Sequence, residues 1–294
     1  MYDEYQGGEL LQLTYGCQAV VREPGVVQFG ADATRMGLIE VTGATEVAAV
    51  LNALAEPAPR ARIIEDLRDC GLGVMASSSL VADLVGYGIL RPPAMASYLT
   101  ILGDSVLAGR LRAMAQSDGF ELRTPLGEES LGSYASSLDS DIPVVAVDFL
   151  ADPVDTANAL DGHGLTWLPV SLLDSRGFIG PLRRGEQGPC PLCAHLHRVD
   201  ADPRWHHVSQ QLAQTPGIAD PAAIQAVAAQ ALIQIRKLAG RPLPPGASGA
   251  TMLNGEVLEV DVYGRNQQRF LNEHRRCPVC FSGALQAISP LLRE

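Results

Sequence analysis

The sequence predicts an α/β protein with a small N-terminal module and a larger, doubly wound domain. Hydrophobic periodicity changes from strand-like to helix-like within the first 93 residues. Ile142–Leu150 is a near-continuous apolar run, which is typical of a buried parallel strand. Strands alternate with helices around that run, as they do in doubly wound sheets. Pro92-Pro93 interrupts the chain, so we predict domains at residues 1–93 and 97–294.

The N-terminal module is predicted to contain short strands, three helices and a closing strand. Glycines supply turns between the strands, and apolar residues recur at helical spacing in the helices. The predicted strands are LLQLTYG, AVVRE, VVQFG, GLIEVTG and GILRP, and the predicted helices are TEVAAVLNAL, ARIIEDLRDC and SSSLVADLVGYG. Thr45 is the expected N-cap of the first helix, and a serine is the expected cap of the third. This order is typical of a winged-helix-like module.

The second domain is predicted to start with a strand at Tyr98–Leu102, a glycine turn and an amphipathic helix. The apolar face of that helix is expected to carry Val106, Leu107, Leu111 and Met114. The strand at Ile142–Leu150 follows, and then a helix with Asp152 at its cap. Later elements are strands in LTWLPVSLLDSRGFIGP, one long helix in PAAIQAVAAQALIQIRKLAG and an alternating strand in GEVLEVDVYG. Such alternation predicts a Rossmann-type sheet.

Composition excludes two classes of partner. The formal net charge is −11, and phosphate backbones and anionic lipids require clustered cations, so we expect neither a nucleic acid nor a membrane as the main partner. The apolar runs are too short to span a bilayer. The acidic start MYDEYQGGEL lacks the basic and apolar regions of a secretion signal, which predicts a cytoplasmic protein.

Two identical spacings dominate the chemistry of the sequence. Cys190-Pro-Leu-Cys193 and Cys277-Pro-Val-Cys280 each place two sulfurs on one tight turn. Two such turns complete a tetrahedral tetrathiolate site, so these four cysteines predict one structural zinc ion. A redox CxxC fits less well because it requires one pair and not two, and disulfides fit a reducing compartment poorly.

The residues near the first pair and the expected nucleotide loop carry weaker signals. His195, His197, His206 and His207 are interpreted as surface or helix residues, because four thiolates already complete the metal's coordination. Asp200 and Asp202 are expected in a turn and at a helix cap, and Trp205 is interpreted as a packing residue. After the strand at Tyr98–Leu102, only Gly103 and Gly109 are glycines, and Asp104 would repel a phosphate. No nucleotide cofactor is therefore expected.

Most of the chain resembles the ThiF-like, ubiquitin-activating-enzyme-like proteins of azole-modified peptide pathways. The matching stretches include VVQFGADATRMGLIEVTG, YLTILGDSVLAGRLRAMA, LTWLPVSLLDSRGFIGPLRRGEQGPCPLCAHLHRVDADPRW and the closing CPVC. The resemblance implies a peptide-recognition module followed by a ThiF-like domain with tetracysteine zinc. It also implies binding of a precursor or leader peptide of the bacteriocin type, a separate YcaO-type cyclodehydratase as partner, and a homodimer.

The resemblance places the peptide on the third strand of the module, with its third helix as the other wall. An extended peptide would add there as a further strand, and a proline at Ile39 would remove a backbone donor from this edge. One face of GLIEV must pack inward, and the other is free. The candidate peptide-binding residues are Gly37, Leu38, Ile39, Val41, Ser78 and Asp83.

Two other functions are compatible with parts of the sequence. An adenylyltransferase acting on a peptide or sulfur-carrier C-terminus is the main alternative. In the active relatives an aspartate binds magnesium, and an arginine follows it five residues later. Here Asp152 and Ala157 occupy those two positions. In addition, no cysteine that could form a thioester lies between Cys193 and Cys277. A DNA-binding regulator is disfavoured, because residues 1–95 hold 6 arginines and 12 acidic residues. No catalytic residue is assigned.

Overall fold

The computed structural model describes residues 9–214 and 217–281. The chain divides into two compact units. The first contains Met1–Met95 and Arg241–Gly249, and the second contains Ala96–Gly240 and Ala250–Glu294. The short segment Arg241–Gly249, which follows the long helix of the second unit, is thus grouped with the first unit. No described helix is long and apolar enough to cross a membrane.

Three helices and two small antiparallel sheets form the first unit. Its strands are β1 (Leu10–Leu13), β2 (Ala19–Glu23), β3 (Val26–Phe29), β4 (Gly37–Glu40), β5 (Ala58–Pro59) and β6 (Leu90–Arg91), and its helices are α1 (Ala44–Ala53), α2 (Arg60–Asp69) and α3 (Val74–Gly86). One sheet has the order β5-β1-β6 and the other β2-β3-β4. A single apolar core, to which all three helices contribute, includes Val47, Leu51, Ile63, Leu67 and Leu84.

Two predicted helix caps in this unit are wrong. The N-cap of α1 is Gly43 and not Thr45, and α3 begins at Val74 after Gly73, so the serines lie inside the helix. Gly43 has a φ of 72°, and a Cβ atom there would lie 2.9 Å from the carbonyl oxygen of Cys70. The tight turn therefore requires glycine two residues before Thr45, the residue that the cap preference would select.

One mixed sheet organises the second unit. Its strands are β7 (Ser97–Leu102), β8 (Phe120–Arg123), β9 (Val144–Val147), β10 (Thr166–Leu173), β11 (Arg176–Ile179), β12 (Arg183–Arg184), β13 (Glu256–Asp261) and β14 (Gln267–Phe270). The order is β14-β13-β11-β10-β9-β7-β8, with β12 beside β10. The helices are α4 (Val106–Ser117), α5 (Leu131–Ser136), α6 (Pro153–Leu160), α7 (Pro191–Ala201), α8 (Trp205–Gln214) and α9 (Pro221–Leu238).

Only half of this sheet is parallel. Strands β8, β7, β9 and β10 pair in parallel, whereas β11, β12, β13 and β14 are antiparallel to their neighbours. The prediction of a doubly wound α/β domain is therefore correct for the parallel half of the sheet. Antiparallel hairpins form the other half. The sequence signal for β9 is confirmed: Val145 and Val147 lie in one apolar cluster, and Val144 and Ala146 lie in another on the opposite face.

The amphipathic face of α4 is shifted from the prediction. Leu107, Ala108, Leu111 and Ala115 are buried, whereas Val106 is 71% exposed. Ser105 caps this helix and accepts a hydrogen bond from the backbone N–H of Ala108 at 3.2 Å. Val106 is thus the first helical residue. It faces solvent because α4 packs against the core through Leu107 and through the residues one turn further along the helix.

Candidate functional site

The two CxxC pairs come together although 83 residues separate them in the sequence. Cys190 is the N-cap of α7, and Cys193 lies in the first turn of that helix. Cys277 begins the short turn at the end of the described chain, where its backbone N–H donates to the carbonyl oxygen of His274 at 2.8 Å. Cys190, Cys193 and Cys277 are buried, and Cys280 is half-buried.

The four sulfurs have the spacing of a tetrahedral metal site. All four Sγ atoms lie within 4.8 Å of one another. Individual separations are 3.8 Å for Cys190–Cys193, 3.5 Å for Cys190–Cys277 and 3.5 Å for Cys193–Cys280. A zinc–sulfur bond of about 2.3 Å in tetrahedral geometry gives sulfur–sulfur distances of about 3.8 Å. Disulfide bonds are far shorter, at about 2.05 Å, and all six cysteines of the chain are free thiols. These residues could therefore hold a metal ion.

The electrostatics of the cluster also favour a cation. Hydrogen bonding to Cys193 and Cys280, together with burial, raises the pKa of the Cys190 thiol, whereas hydrogen bonds from Cys190 and Cys193 lower the pKa of Cys280. Four thiolates this close together would repel one another, and a divalent ion among them would allow all four to ionise.

Several groups around the sulfurs orient and neutralise them. The backbone N–H of His274 donates to Sγ of Cys193 at 3.2 Å, and the guanidinium of Arg183 lies 3.8 Å from Sγ of Cys280. Nε2 of His274 lies 2.9 Å from Oδ2 of Asp200, which also pairs with Arg276. N–H donors and a nearby cation stabilise a tetrathiolate, whose net charge with a divalent metal is −2. The sequence analysis missed Arg183 and His274, because no spacing rule connects them to the cysteines.

The predicted roles of the neighbouring residues are partly correct. The four histidines near the first pair lie in α7 and α8, as interpreted from the sequence, and the cluster of possible metal ligands contains none of them. His195, however, is buried and not at the surface; its ring is 5.5 Å from that of His206. Asp200 lies inside α7 and not in a turn. Asp202 accepts a hydrogen bond from the backbone N–H of Arg204 at 2.9 Å, at the start of α8.

Carboxylates line the crevice where a doubly wound fold places a nucleotide. This crevice lies at the carboxyl ends of β7 and β9, where the strand order reverses. Gly103 has a φ of 105°, and a Cβ atom there would lie 2.2 Å from the carbonyl oxygen of Val147. Asp148 ends β9 with a φ of 56° and accepts hydrogen bonds from Ser105 and, at 2.9 Å, from the backbone N–H of Leu172. Burial raises the pKa of its carboxyl group.

Asp152 and Ala157 occupy the positions at which the adenylating relatives have a magnesium-binding aspartate and an arginine. Asp152 is the N-cap of α6, but its side chain makes no capping hydrogen bond. Ala157 is buried among the residues around the cysteine cluster. At the same crevice, Arg112 donates to the carbonyl oxygens of Ile101, at 3.1 Å, and of Gly103. Arg112 therefore holds the backbone of the loop that begins at Gly103.

Strand β4 lies at one edge of its sheet, where the peptide site was predicted. It pairs with β3 on one side, and within the described residues no strand pairs on its other side. Ile39 and Val41 pack against the core, whereas Leu38 is 49% exposed. Ser78 and Asp83 are both exposed on α3.

Hydrogen-bond alternation identifies which backbone groups of β4 point outward. The backbone N–H of Val41 donates to the carbonyl oxygen of Gly25 at 2.8 Å, and Glu40 is opposite Val26. In an antiparallel pair, only alternate residues bond to the partner strand. Gly37, Ile39 and Val41 therefore bond to β3, and Leu38 and Glu40 present their N–H and C=O groups to the free edge. A proline at Ile39 would thus break the sheet itself, so it does not test the edge as the sequence analysis expected.

The opposite edge of the same sheet is partly blocked. Oδ1 of Asn52 accepts from the backbone N–H of Ala19 at 2.9 Å, and Nδ2 of Asn52 donates to the carbonyl oxygen of Ala19 at 2.8 Å. The amide of Asn52 thus pairs with β2 as a neighbouring strand would. Covering one edge in this way prevents unwanted strand addition, and β4 remains open.

The fold is similar to several solved structures. A heterocyclase in complex with substrate and cofactor matches at 19% identity and a TM-score of 0.61, over 92% of this chain and 39% of the heterocyclase. The heterocyclase TruD matches at 18% identity and a TM-score of 0.60, over 92% of this chain and 43% of TruD. E. coli MccB, the microcin C7 biosynthetic enzyme, matches in complex with N-formylated MccA at 10% identity and a TM-score of 0.52, over 92% of this chain and 99% of MccB.

No family model and no curated protein matches the sequence. The chain spans 39% and 43% of the length of the two heterocyclases. At these identities the likeness concerns the fold alone. The chain therefore has a fold that is also found in heterocyclases and in MccB.

Proposed function

We propose that this chain is a non-catalytic scaffold that binds a precursor peptide and presents it to a separate YcaO-type, ATP-dependent cyclodehydratase. In this proposal the first unit is a winged-helix-like peptide-recognition module, and the four cysteines bind one structural zinc ion. A four-sulfur site leaves no open coordination position, so the zinc would stabilise the fold and not take part in a reaction.

The open edge of β4 carries this proposal. Strand addition supplies affinity through backbone hydrogen bonds, and it requires an edge whose N–H and C=O groups are free. Leu38 and Glu40 offer such groups, and the exposed side chain of Leu38 offers apolar contact beside them. The other edge of the sheet is engaged by Asn52, so a peptide would have one preferred place and one direction of approach.

The structural neighbours add support. One heterocyclase of similar fold was solved in complex with a substrate and a cofactor, and MccB was solved in complex with N-formylated MccA. More than half of each heterocyclase lies outside the match, because the match covers 39% and 43% of their chains. In this proposal a second protein supplies the cyclodehydratase activity.

An adenylyltransferase is the second candidate, since MccB matches over 99% of its own length. The carboxylates of Asp104 and Asp148 at the nucleotide crevice weigh against it, because they would repel a phosphate, and Arg112 is already engaged with Asp104 at 4.0 Å and with two backbone carbonyls. Isothermal titration with ATP and magnesium decides between the two candidates. The scaffold proposal expects no heat of binding, and saturable binding of ATP would favour the adenylyltransferase.

Selection of peptides from a random phage-displayed library tests the peptide site. We expect enriched sequences to bind the wild-type protein and Glu40→Ala, and to lose binding to Glu40→Pro. The alanine variant removes the side chain but keeps the outward N–H, and the proline variant removes the N–H as well. Proline is tolerated on an edge strand where the N–H faces solvent, so both variants should fold. Equal binding to all three proteins would place the peptide elsewhere.

A further inference from the structure

An apolar cavity of the second unit is not used by the proposed function. It has a volume of about 230 Å³ and is lined by β10, β11 and β13 together with α7. Its largest apolar side chains are those of Phe149, Leu150, Trp167, Phe178, Pro181 and Leu271. Helix α7 supplies part of the wall, and its Arg198 is the main charge there.

Arg198 is a cation without an anionic partner in this wall. Its guanidinium carbon lies 5.1 Å from the centre of the Trp205 ring and 5.9 Å from that of Phe178, so two aromatic rings hold it in place. Within residues 9–214 and 217–281, no acceptor forms a hydrogen bond or ion pair with its side chain. Burial lowers the pKa of Arg198, and the residue is half-buried.

The other polar groups of the cavity leave Arg198 as its main charge. Trp167 is 2% exposed, and its indole N–H is buried without a hydrogen-bond partner. No aspartate or glutamate lines the cavity. Arg269 pairs with Glu259 at 2.8 Å. Arg198 is therefore the main charged donor of the cavity, which also has Cys190 of the cysteine cluster in its wall.

Nearby acidic residues do not satisfy Arg198 from outside the cavity. Asp200, two residues along α7, pairs with His274 and Arg276. Asp202 accepts the backbone N–H of Arg204. Both carboxylates are thus engaged with other groups, and the half-buried guanidinium of Arg198 remains available to a ligand.

We propose that this cavity binds a carboxylate carried on a compact apolar group. The guanidinium of Arg198 would hold the carboxylate with two parallel hydrogen bonds, and the aromatic and proline walls would enclose the apolar group. A phosphate fits less well, because a dianion would meet a single guanidinium. This proposal does not depend on a peptide binding to β4.

Intrinsic fluorescence provides a direct test, because the two tryptophans of the chain are Trp167 and Trp205 and both lie at this site. We would titrate the full chain with phenylacetate and with phenylacetamide, which has the same apolar group and no charge. We expect a saturable change with the acid at roughly millimolar concentration and none with the amide. Acetyl-phenylalanine and acetyl-glutamate amide then distinguish a terminal carboxylate from a side-chain carboxylate.

Two variants assign the response. Arg198→Gln should weaken phenylacetate binding about tenfold or more, because a charge-assisted bidentate contact is lost. Arg110→Gln, on the exposed face of α4, should bind as the wild type does. Independently of any variant, phenylglyoxal modification of the wild-type chain, mapped by mass spectrometry, should show Arg198 protected by phenylacetate. Equal responses to acid and amide, no saturable response, unchanged binding by Arg198→Gln or no protection of Arg198 would each overturn the proposal.

Discussion

At the level of single residues, the cysteine cluster connects two distant parts of the second unit. Cys190 and Cys193 begin α7, and Cys277 and Cys280 lie near the end of the described chain. A metal ion bound to all four sulfurs would close a long loop and hold both segments. The energy of metal binding would then contribute directly to folding.

We expect one zinc ion per chain, and we expect Cys277→Ser to lose it. Cys277 is 1% exposed, so serine would leave a buried hydroxyl and an incomplete ligand set. The variant should unfold at lower temperature, with a loss of several kcal/mol, about the scale of removing a structural metal ligand. Cys70→Ser, outside the cluster, is the matched control. Metal analysis giving less than half an equivalent of zinc in the wild type would contradict the assignment.

Arg183 should tune the affinity of the same site. It is 8% exposed, donates to the carbonyl oxygen of Gly188 at 2.6 Å and lies next to Cys280. Replacing it with methionine keeps most of the volume but removes the positive charge that balances the tetrathiolate. We expect zinc affinity to fall about 10- to 100-fold, as for other outer partners of metal ligands. Competition with a chromophoric chelator measures this, with Arg184→Met as the control; equal affinities would show that the charge has no influence.

At the level of elements, the end of β9 contains a carboxylate where the fold favours an uncharged side chain. Burial raises the pKa of Asp148 above its ordinary value of 3.8, so the folded state binds the proton more tightly than the unfolded state. Its contribution to stability is therefore greatest at acidic pH, below the ordinary pKa. It falls as the pH rises through the folded pKa and is constant above it.

Asp148→Asn should consequently stabilise the protein at neutral pH. Asparagine can accept the N–H of Leu172 as the carboxylate does, and it tolerates the φ of 56°. We expect a higher melting temperature than that of the wild type at pH 7, and a smaller difference at acidic pH. Thermal unfolding across the pH range measures both. A variant that is less stable than the wild type at neutral pH would show that the negative charge is needed, for example to bind a cation.

A proline substitution is expected to affect stability differently at two adjacent residues of β4. Ile39 bonds to β3, so Ile39→Pro should remove a sheet hydrogen bond and destabilise the first unit by about 3 kcal/mol. Glu40→Pro removes only an outward donor and should cost much less. Denaturant unfolding of the two variants compares them, and equal destabilisation would mean that the alternation of hydrogen bonds along β4 is reversed.

Sequence reasoning succeeded for elements that depend on local pattern and failed where tertiary contacts decide. The apolar run of β9 and the long helix α9 follow directly from periodicity. β14 was missed because its residues Gln267–Phe270 are all exposed, so it has no hydrophobic pattern to detect. The cap of α1 was misplaced because the contact between Gly43 and the carbonyl of Cys70 joins residues that are distant in the sequence.

At the level of the whole molecule, the cysteine cluster was predictable and the cavity around Arg198 was not. CxxC spacing fixes two sulfurs on one turn, so two pairs are sufficient to indicate one site. The cavity instead combines β10, β11, β13 and α7, and its main feature is the absence of a counter-charge for Arg198 among the described residues. Whether a side chain lacks a counter-charge depends on all the residues around it in the folded protein. No pattern along the sequence encodes this.

The oligomeric state gives a final prediction, which comes from the resemblance to ThiF-like proteins. We expect a homodimer, so light scattering at micromolar concentration should give twice the chain mass of 31.2 kDa. Each chain carries a net charge of −11, so association brings two like-charged bodies together. Salt screens that repulsion, and the dimer should therefore become tighter as ionic strength rises, unless specific ion pairs at the interface outweigh the net charge. A mass near that of one chain at both low and high salt would refute the dimer. A dimer that dissociates as salt is added would keep the stoichiometry but show that ion pairs hold the two chains together.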